Sequence, residues 1–178
     1  MTSQTTTQTD PAAPAGRASP DDAQLGAWRA FLQTHARLLR RLDEELQAAH
    51  GLSLAEYDAL LQLATAPDRR LRMSALADRV LLSRSGITRL VDRLVAEGMV
   101  ERFPCSSDAR GSMAVITAQG VNRLRTASRT HLDGVRRFFL DVVSADEQDV
   151  IRQALGRVSD GLVSKLGEDS ACPSMADA

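Results

Sequence analysis

Arginine is the residue type through which this chain is equipped to do chemistry. Between positions 69 and 130 lie Arg69, Arg70, Arg72, Arg79, Arg84, Arg89, Arg93, Arg102, Arg110, Arg123, Arg125 and Arg129, against only Asp78, Asp92, Glu97, Glu101 and Asp108. That span carries a surplus of seven positive charges, and because the whole chain is −1 at neutral pH, the remainder carries −8. A guanidinium is planar, permanently charged and presents a fork of N–H donors that matches phosphate oxygens or a guanine edge. A basic middle in an otherwise acidic chain suits a protein that meets a polyanion with one face only. Lys165 is the sole lysine. A coding bias toward arginine accounts for much of that imbalance, so spacing carries the argument.

Two groups of residues have that spacing. Positions 83–94 read Ser-Arg-Ser-Gly-Ile-Thr-Arg-Leu-Val-Asp-Arg-Leu. Ile87, Leu90, Val91, Leu94 and Val95 recur as one apolar helical face. Ser85, Arg89 and Asp92 then point the opposite way, with Thr88 and Arg93 on the flanks and Arg84 in the first turn. A helix with a short, polar outer face near its N-terminus fits a DNA major groove. Arg84 or Arg89 would take a guanine edge bidentately, each such pair giving about 1–3 kcal/mol of discrimination. Ser83, Ser85 and Thr88 suit phosphate or base contacts, and free N–H groups at a helix start attract phosphate. Ordinary solvated helices carry arginines too, so this stretch alone does not decide the matter.

The second group follows. Segments 99–103 and 112–117 alternate apolar and polar residues as two strands do, with a loop expected over 104–111. An arginine at the tip of a hairpin enters a narrow minor groove, where the negative potential is strongest. Arg110 is placed for that role, and Asp108 is placed to pair with a guanidinium and steady the loop. Ser106 completes the set of binding candidates there, and Gly111 permits the backbone to re-enter the strand.

Both groups need a scaffold. Asp21 or Asp22 caps a first long helix with Leu25, Trp28, Leu32, Leu39, Leu42 and Leu46 at helical spacing, ended by Gly51. Ser53 and Glu56 form a capping-box pattern for a second helix carrying Leu60, Leu61 and Leu63, which stops before Pro67. A short β segment is expected near Leu71. A third helix over 73–81 turns Met73, Leu76, Ala77 and Val80 inward. Ser83 caps the fourth helix, of about 84–97, and Gly98 ends it. Thr117 opens a fifth, to about Val143, with Val121, Leu124, Leu132, Val135, Phe139 and Val142 apolar. Ser144 and Glu147 start a sixth, expected to bury Val150, Ile151, Leu155, Val158 and Leu162.

The fold class is therefore mainly α with a small β-hairpin wing: a winged helix-turn-helix at about 53–117 within a single domain at 21–166. The long helices at about 22–50 and 118–166 are too extensive and too apolar for a lone small domain, which calls for a second copy of the chain. Trp28, Leu32, Val142, Ile151, Leu155 and Val158 are the expected dimer interface. Residues 1–20, rich in Thr, Gln, Ser, Ala and Pro, are expected to be disordered, and 167–178 a flexible tail.

Other functions find little support. Cys105 and Cys172 belong to no spaced metal pattern, and His35, His50 and His131 lie far apart, so no metal and no cofactor is expected. Cys105 reads as a neutral loop residue. The carboxylates Asp43, Glu44 and Glu45 fall on a solvated helix face, and neither a nucleophile elbow nor a phosphate-cradling glycine loop occurs, so an enzyme is not expected. No stretch approaches membrane-spanning length and no hydrophobic leader precedes the domain, which makes the reducing cytoplasm the expected location.

The combination resembles the MarR family of bacterial winged-helix transcriptional regulators. The resemblance lies in Leu76-Ala77, the stretch 83–94, Gly98-Met99-Val100-Glu101-Arg102, Asp108-x-Arg110-Gly111 and Ile116-Thr117-x-x-Gly120, and spans about 24–166. It implies a triangular homodimer that places two recognition helices in successive major grooves of an inverted-repeat operator, with Arg110 of each wing in the flanking minor groove. It implies a regulator, usually a repressor, often relieved by a small anionic aromatic ligand. In some relatives a tryptophan on the first helix touches such a ligand, so Trp28 has a ligand-binding reading beside its dimer-core one. The rival from the residues themselves is a winged-helix protein-interaction module without DNA binding, against which the basic surplus argues.

Overall fold

The computed structural model describes residues 21–105 and 108–163, with the backbone alone at Gln24, residues 108–110 and Val163. The expected tails at 1–20 and 167–178, together with Ser106, Lys165 and Cys172, lie outside the described residues.

Helix α1 spans Asp22–His50 and is stopped by Gly51 at φ +60°, whose N–H closes on the Gln47 carbonyl at 2.8 Å. Helix α2, Leu54–Thr65, opens with the capping box that the sequence predicts: Ser53 Oγ accepts from the Glu56 N–H, and the Glu56 carboxylate accepts from the Ser53 N–H at 2.9 Å. The Leu54 N–H donates to Asp43 Oδ1 at 2.7 Å, which fastens the start of α2 to α1. A short 3₁₀ turn at Pro67–Arg69 leads to strand β1, Arg70–Arg72. Then come α3 (Met73–Val80), α4 (Arg84–Ala96), β2 (Val100–Cys105), β3 (Asp108–Ile116), α5 (Ala118–Val135) and α6 (Ala145–Val163).

The sheet is antiparallel in the order β1-β3-β2, with Leu71 opposite Ala114 and Val100 opposite Ile116. The hairpin is longer than expected. Pairing continues to Cys105 opposite Asp108 through an irregularity between Pro104 and Cys105, so most of the loop expected over 104–111 is strand. Pro104 is tolerated because β2 is an edge strand and needs no N–H on its outer side. Cys105 is accordingly a buried strand residue and not a loop residue.

One core joins the second half of α1, helices α2 to α5 and the sheet. Leu46, Leu52, Leu60, Leu63, Leu76, Ile87, Val91, Leu94 and Val100 are all at most 1% exposed. Each contributes about 1.5–3 kcal/mol of transfer free energy. Two close approaches set how it closes. At the end of α4, Gly98 adopts φ +70°, its N–H meets the Val95 carbonyl and the Met99 N–H meets the Leu94 carbonyl, with Met99 and Leu94 both buried. That is a Schellman turn with its apolar contact. At the start of α5, capped by Thr117, a methyl on Gly120 would press into the Met99 carbonyl and lie 2.7 Å from Ile116 Cγ1.

Several expectations are corrected. α3 ends at Val80, and Leu81 takes a left-handed conformation (φ 57°) with its side chain 89% exposed. The tight turn into α4 demands that conformation, and no glycine marks it. Met73 and Val80 are only half-buried. α5 does not run on to Val143: it ends at Val135 and continues as a π-helical turn, Arg136–Leu140. Within that widened turn Arg137 reaches Glu45 of α1 with bonds of 2.7 and 2.9 Å and lies 4.7 Å from the Phe138 ring centre. Nor does α6 bury its apolar residues. Val150, Leu155, Val158 and Leu162 are exposed and Ile151 half-buried, because no described element of a single chain covers them. Leu132 and Val142 are exposed as well. The first part of α1, to Ala36, taken by itself, exposes Trp28, Phe31 and Leu32; the Trp28 and Phe31 rings, and those of Phe31 and His35, are 6.1 Å apart.

Gly120→Ala is expected to destabilise the fold by about 1–3 kcal/mol, because the clash is with backbone and no rotamer relieves it. Urea unfolding followed by circular dichroism checks this, and an unchanged midpoint would show that the start of α5 approaches Met99 less tightly.

Candidate nucleic-acid interface

α3, the turn at Leu81 and α4 form a helix-turn-helix, and β2 and β3 form the adjoining hairpin. α4 divides sharply into two faces. Ile87, Leu90, Val91 and Leu94 are buried, while Ser85, Thr88, Arg89, Asp92 and Arg93 are exposed. Val95, expected in the buried stripe, is 40% exposed. The stripe drifts off the core at its fifth member, eight positions after Ile87 and just before the Gly98 turn.

The polar side chains of this helix are not equivalent. Ser83 Oγ accepts from the Gly86 N–H at 3.1 Å and lies 3.2 Å from Ser85 Oγ, so Ser83 is first of all the helix cap. The Thr88 hydroxyl donates back to the Arg84 carbonyl at 2.8 Å. Arg93 Nε donates to Glu56 Oε1 at 2.8 Å, across to the first turn of α2. Asp92 pairs with Arg102 of β2 at 3.1 Å. Arg84 and Arg89, both exposed, have no ion pair or side-chain hydrogen bond among the described residues. Of the three arginines on α4, two are therefore unengaged and one is tied down.

Glu56 is the buried end of that tie. Burial pushes its carboxyl pKa up, but the two hydrogen bonds from Ser53 and the bond and charge of Arg93 outweigh burial and hold it below the usual carboxylate value. Helix α2 thus starts on an ionised side chain whose two oxygens serve two different elements.

In the wing, Asp108 and Arg110 fall in strand β3 and not in an open loop, and Asp108 lies opposite Cys105. Their side chains, and Ser106 altogether, lie outside the described residues. Sequence reasoning brought out every outward polar residue of α4 but placed the exposed Val95 inward. It missed both ion pairs that brace the helix, because Glu56 and Arg93 are 37 positions apart and no local pattern links them. The capping box was the one visible sign that Glu56 mattered. Among the described residues no cluster of His, Cys, Asp and Glu could hold a metal ion, and no helix is long and apolar enough to cross a membrane.

A helix-turn-helix and an antiparallel hairpin built on one core define a winged helix-turn-helix protein. Comparison with known proteins agrees. Residues 50–111 match the MarR family. The structure is similar to that of Sco3205, a MarR family transcriptional regulator from Streptomyces coelicolor solved in complex with DNA, with a TM-score of 0.76 and 32% identity over 82% of this chain and 94% of that one. AbsC, another MarR family transcriptional regulator from Streptomyces coelicolor, gives a TM-score of 0.75 and 30% identity over 82% and 98% of the two chains. The HTH-type transcriptional repressor YetL of Bacillus subtilis is 28% identical over 121 residues, covering 68% of this chain and 72% of YetL. The chain belongs to the MarR family; it is a helix-turn-helix transcriptional regulator and not an enzyme.

The lowered pKa of Glu56 has a definite sign for stability. Its ionised form is favoured by folding, so the stabilisation is present above the unfolded-state pKa and is lost as pH falls through the folded value. Glu56→Gln, which keeps a hydrogen-bonding side chain but does not titrate, is expected to flatten the acid limb of a stability-against-pH curve. Parallel acid limbs for the two proteins, measured by urea unfolding, would rule out this carboxylate as a contributor.

Proposed function

We propose that this protein is a sequence-specific DNA-binding repressor that acts as a homodimer on an inverted-repeat operator, with α4 in the major groove and the hairpin against the minor groove. The observation that carries the proposal is the division of α4: a deeply buried apolar stripe opposite an outer face where Arg84 and Arg89 stand unengaged among the described residues. Unengaged guanidiniums at the start of an outward helix are suited to phosphates and guanine edges, and the N-terminal N–H groups add to the attraction. The basic surplus over 69–130 supports the same reading, as do the DNA complex of Sco3205 and the repressor activity named for YetL. Ser83, Ser85 and Thr88 flank the proposed contact, Arg93 being held by Glu56 instead, and Ser106, Asp108 and Arg110 complete it in the wing. The operator is proposed as two half-sites about one helical turn apart.

Dimerisation is supported by the apolar surface that a single chain leaves uncovered. Val142 is 72% exposed and Val158 59%, with Leu155 and half-buried Ile151 on the same helix as Val158. Trp28 and Leu32 are exposed on the first part of α1. Side chains of this size contribute about 1.5–3 kcal/mol each when covered. Relief of binding by a small anionic aromatic ligand, with Trp28 as its contact, is part of the same proposal. It acts in the cytoplasm, where its DNA is.

Selection of duplexes from a random pool tests the DNA reading, and failure to enrich any sequence would defeat it. On the selected duplex, Arg89→Ala is expected to relax preference at one position at a cost of about 1–3 kcal/mol. Arg110→Ala is expected to weaken binding to all sequences alike and to lower the slope of log K against log salt by about one. Val158→Glu is expected to give a monomer by light scattering that no longer binds the selected duplex; a dimer of undiminished strength would move the interface elsewhere.

A further inference from the structure

We infer that Glu56 is a positioning residue for DNA recognition: by holding Arg93 it fixes the roll of α4, and Arg93 acts as a tether and not as a DNA contact. The inference rests on the DNA-binding reading above and deepens it.

Glu56 is the one buried charged side chain among the described residues, at 8% exposure. Its carboxylate is split between two tasks. Oε2 accepts from the Ser53 N–H at 2.9 Å and the Ser53 hydroxyl at 2.7 Å, which completes the cap of α2. Oε1 accepts from Arg93 Nε at 2.8 Å. The cap alone needs neither the charge nor the second oxygen, since glutamine also serves at that position. Burial of a full charge is therefore explained by its second partner, and that partner stands on the recognition helix.

The start of α2 is a firm anchor, because the Leu54 N–H is bonded to Asp43 of α1. On the other flank of α4, Asp92 is paired with Arg102 of the wing strand β2 at 3.1 Å. Asp92 and Arg93 are consecutive, so their side chains diverge by about 100° around the helix axis. Two directional contacts so placed resist rotation of α4 about its own axis. The apolar stripe resists it less, because hydrophobic burial has no direction. Base recognition tolerates misplacement of only about 0.5 Å or 10–20°. The pair itself adds little to stability, since Arg93 is 57% exposed. Its value lies in the pose it gives to Arg84 and Arg89.

The test is a double-mutant cycle on the full chain with Glu56→Gln, Arg93→Gln and the combination. Glu56→Gln keeps the α2 cap and removes the charge. Affinity is measured across a salt series for the duplex that the wild type selects from a random pool and for a random-sequence duplex. Each single change is expected to weaken binding to the selected duplex about tenfold, with the double change no worse than either. Affinity for the random duplex and the salt slope should stay at wild-type values. Losses that add, wild-type behaviour of Glu56→Gln, or a salt slope lowered by Arg93→Gln would each overturn the inference, the last by making Arg93 a phosphate contact. Hydrogen exchange on the free proteins judges the clamp without DNA: Glu56→Gln should speed exchange in α4 and leave α5 unchanged, and unaltered α4 exchange would reject it. A wild type that prefers no duplex would instead reject the DNA-binding reading, with the clamp still decided by exchange.

Discussion

Burial of Ile87, Leu90, Val91 and Leu94 is the constraint from which the rest of the molecule follows. Four such side chains contribute about 1.5–3 kcal/mol each, whereas an exposed ion pair contributes about 0–1 kcal/mol. The apolar term therefore decides which face of α4 is inside. Once that is settled, Ser85, Thr88 and Arg89 have no choice but to face outward. The polar contacts around the helix work at a finer scale. Glu56 and Arg102 reach α4 from two different elements, α2 and β2, so the pose of the outer face is referred to the scaffold on both flanks.

The ends of the helix are held as firmly as its middle. The Schellman turn at Gly98 converts α4 directly into β2, and Gly120 lets α5 begin against the Met99 carbonyl. Thr117 contributes twice at this junction: its hydroxyl donates to the Gly98 carbonyl at 2.8 Å and accepts from the Gly120 N–H at 3.0 Å. α4, the hairpin and α5 thus meet within a few residues. A shift in any one would strain contacts made by the other two.

Beyond that junction the molecule changes character. The exposed apolar residues of α6 are what no described element of a single chain covers. A chain with 43% hydrophobic residues and so few aromatics spends many of its leucines and valines outside its own core. The homodimer proposed for this family member gives that surface a use, and it doubles the arginine-bearing face at the same time.

Much of this was legible in the residues alone, wherever the signal is local. The capping box of Ser53 and Glu56, the cap at Ser83, the stop at Gly98 and the period-3.6 stripe of α4 each occupy a few neighbouring positions, and the structure has all of them, the stripe as far as Leu94. The outward residues of α4 followed from the same period. Three features were decided by tertiary structure. Leu81 is left-handed because the path from α3 to α4 demands it, against the preference of leucine. The hairpin extends to Cys105 and Asp108 because cross-strand pairing outlasts the turn-like composition of the intervening residues. The Glu56–Arg93 and Asp92–Arg102 pairs exist because packing brings α2, α4 and β2 together. Local spacing specifies helices, strands and their inward faces through backbone geometry and apolar period. Which charges meet, and so which arginines remain unengaged on the surface, depends on distances that exist only after the chain has folded.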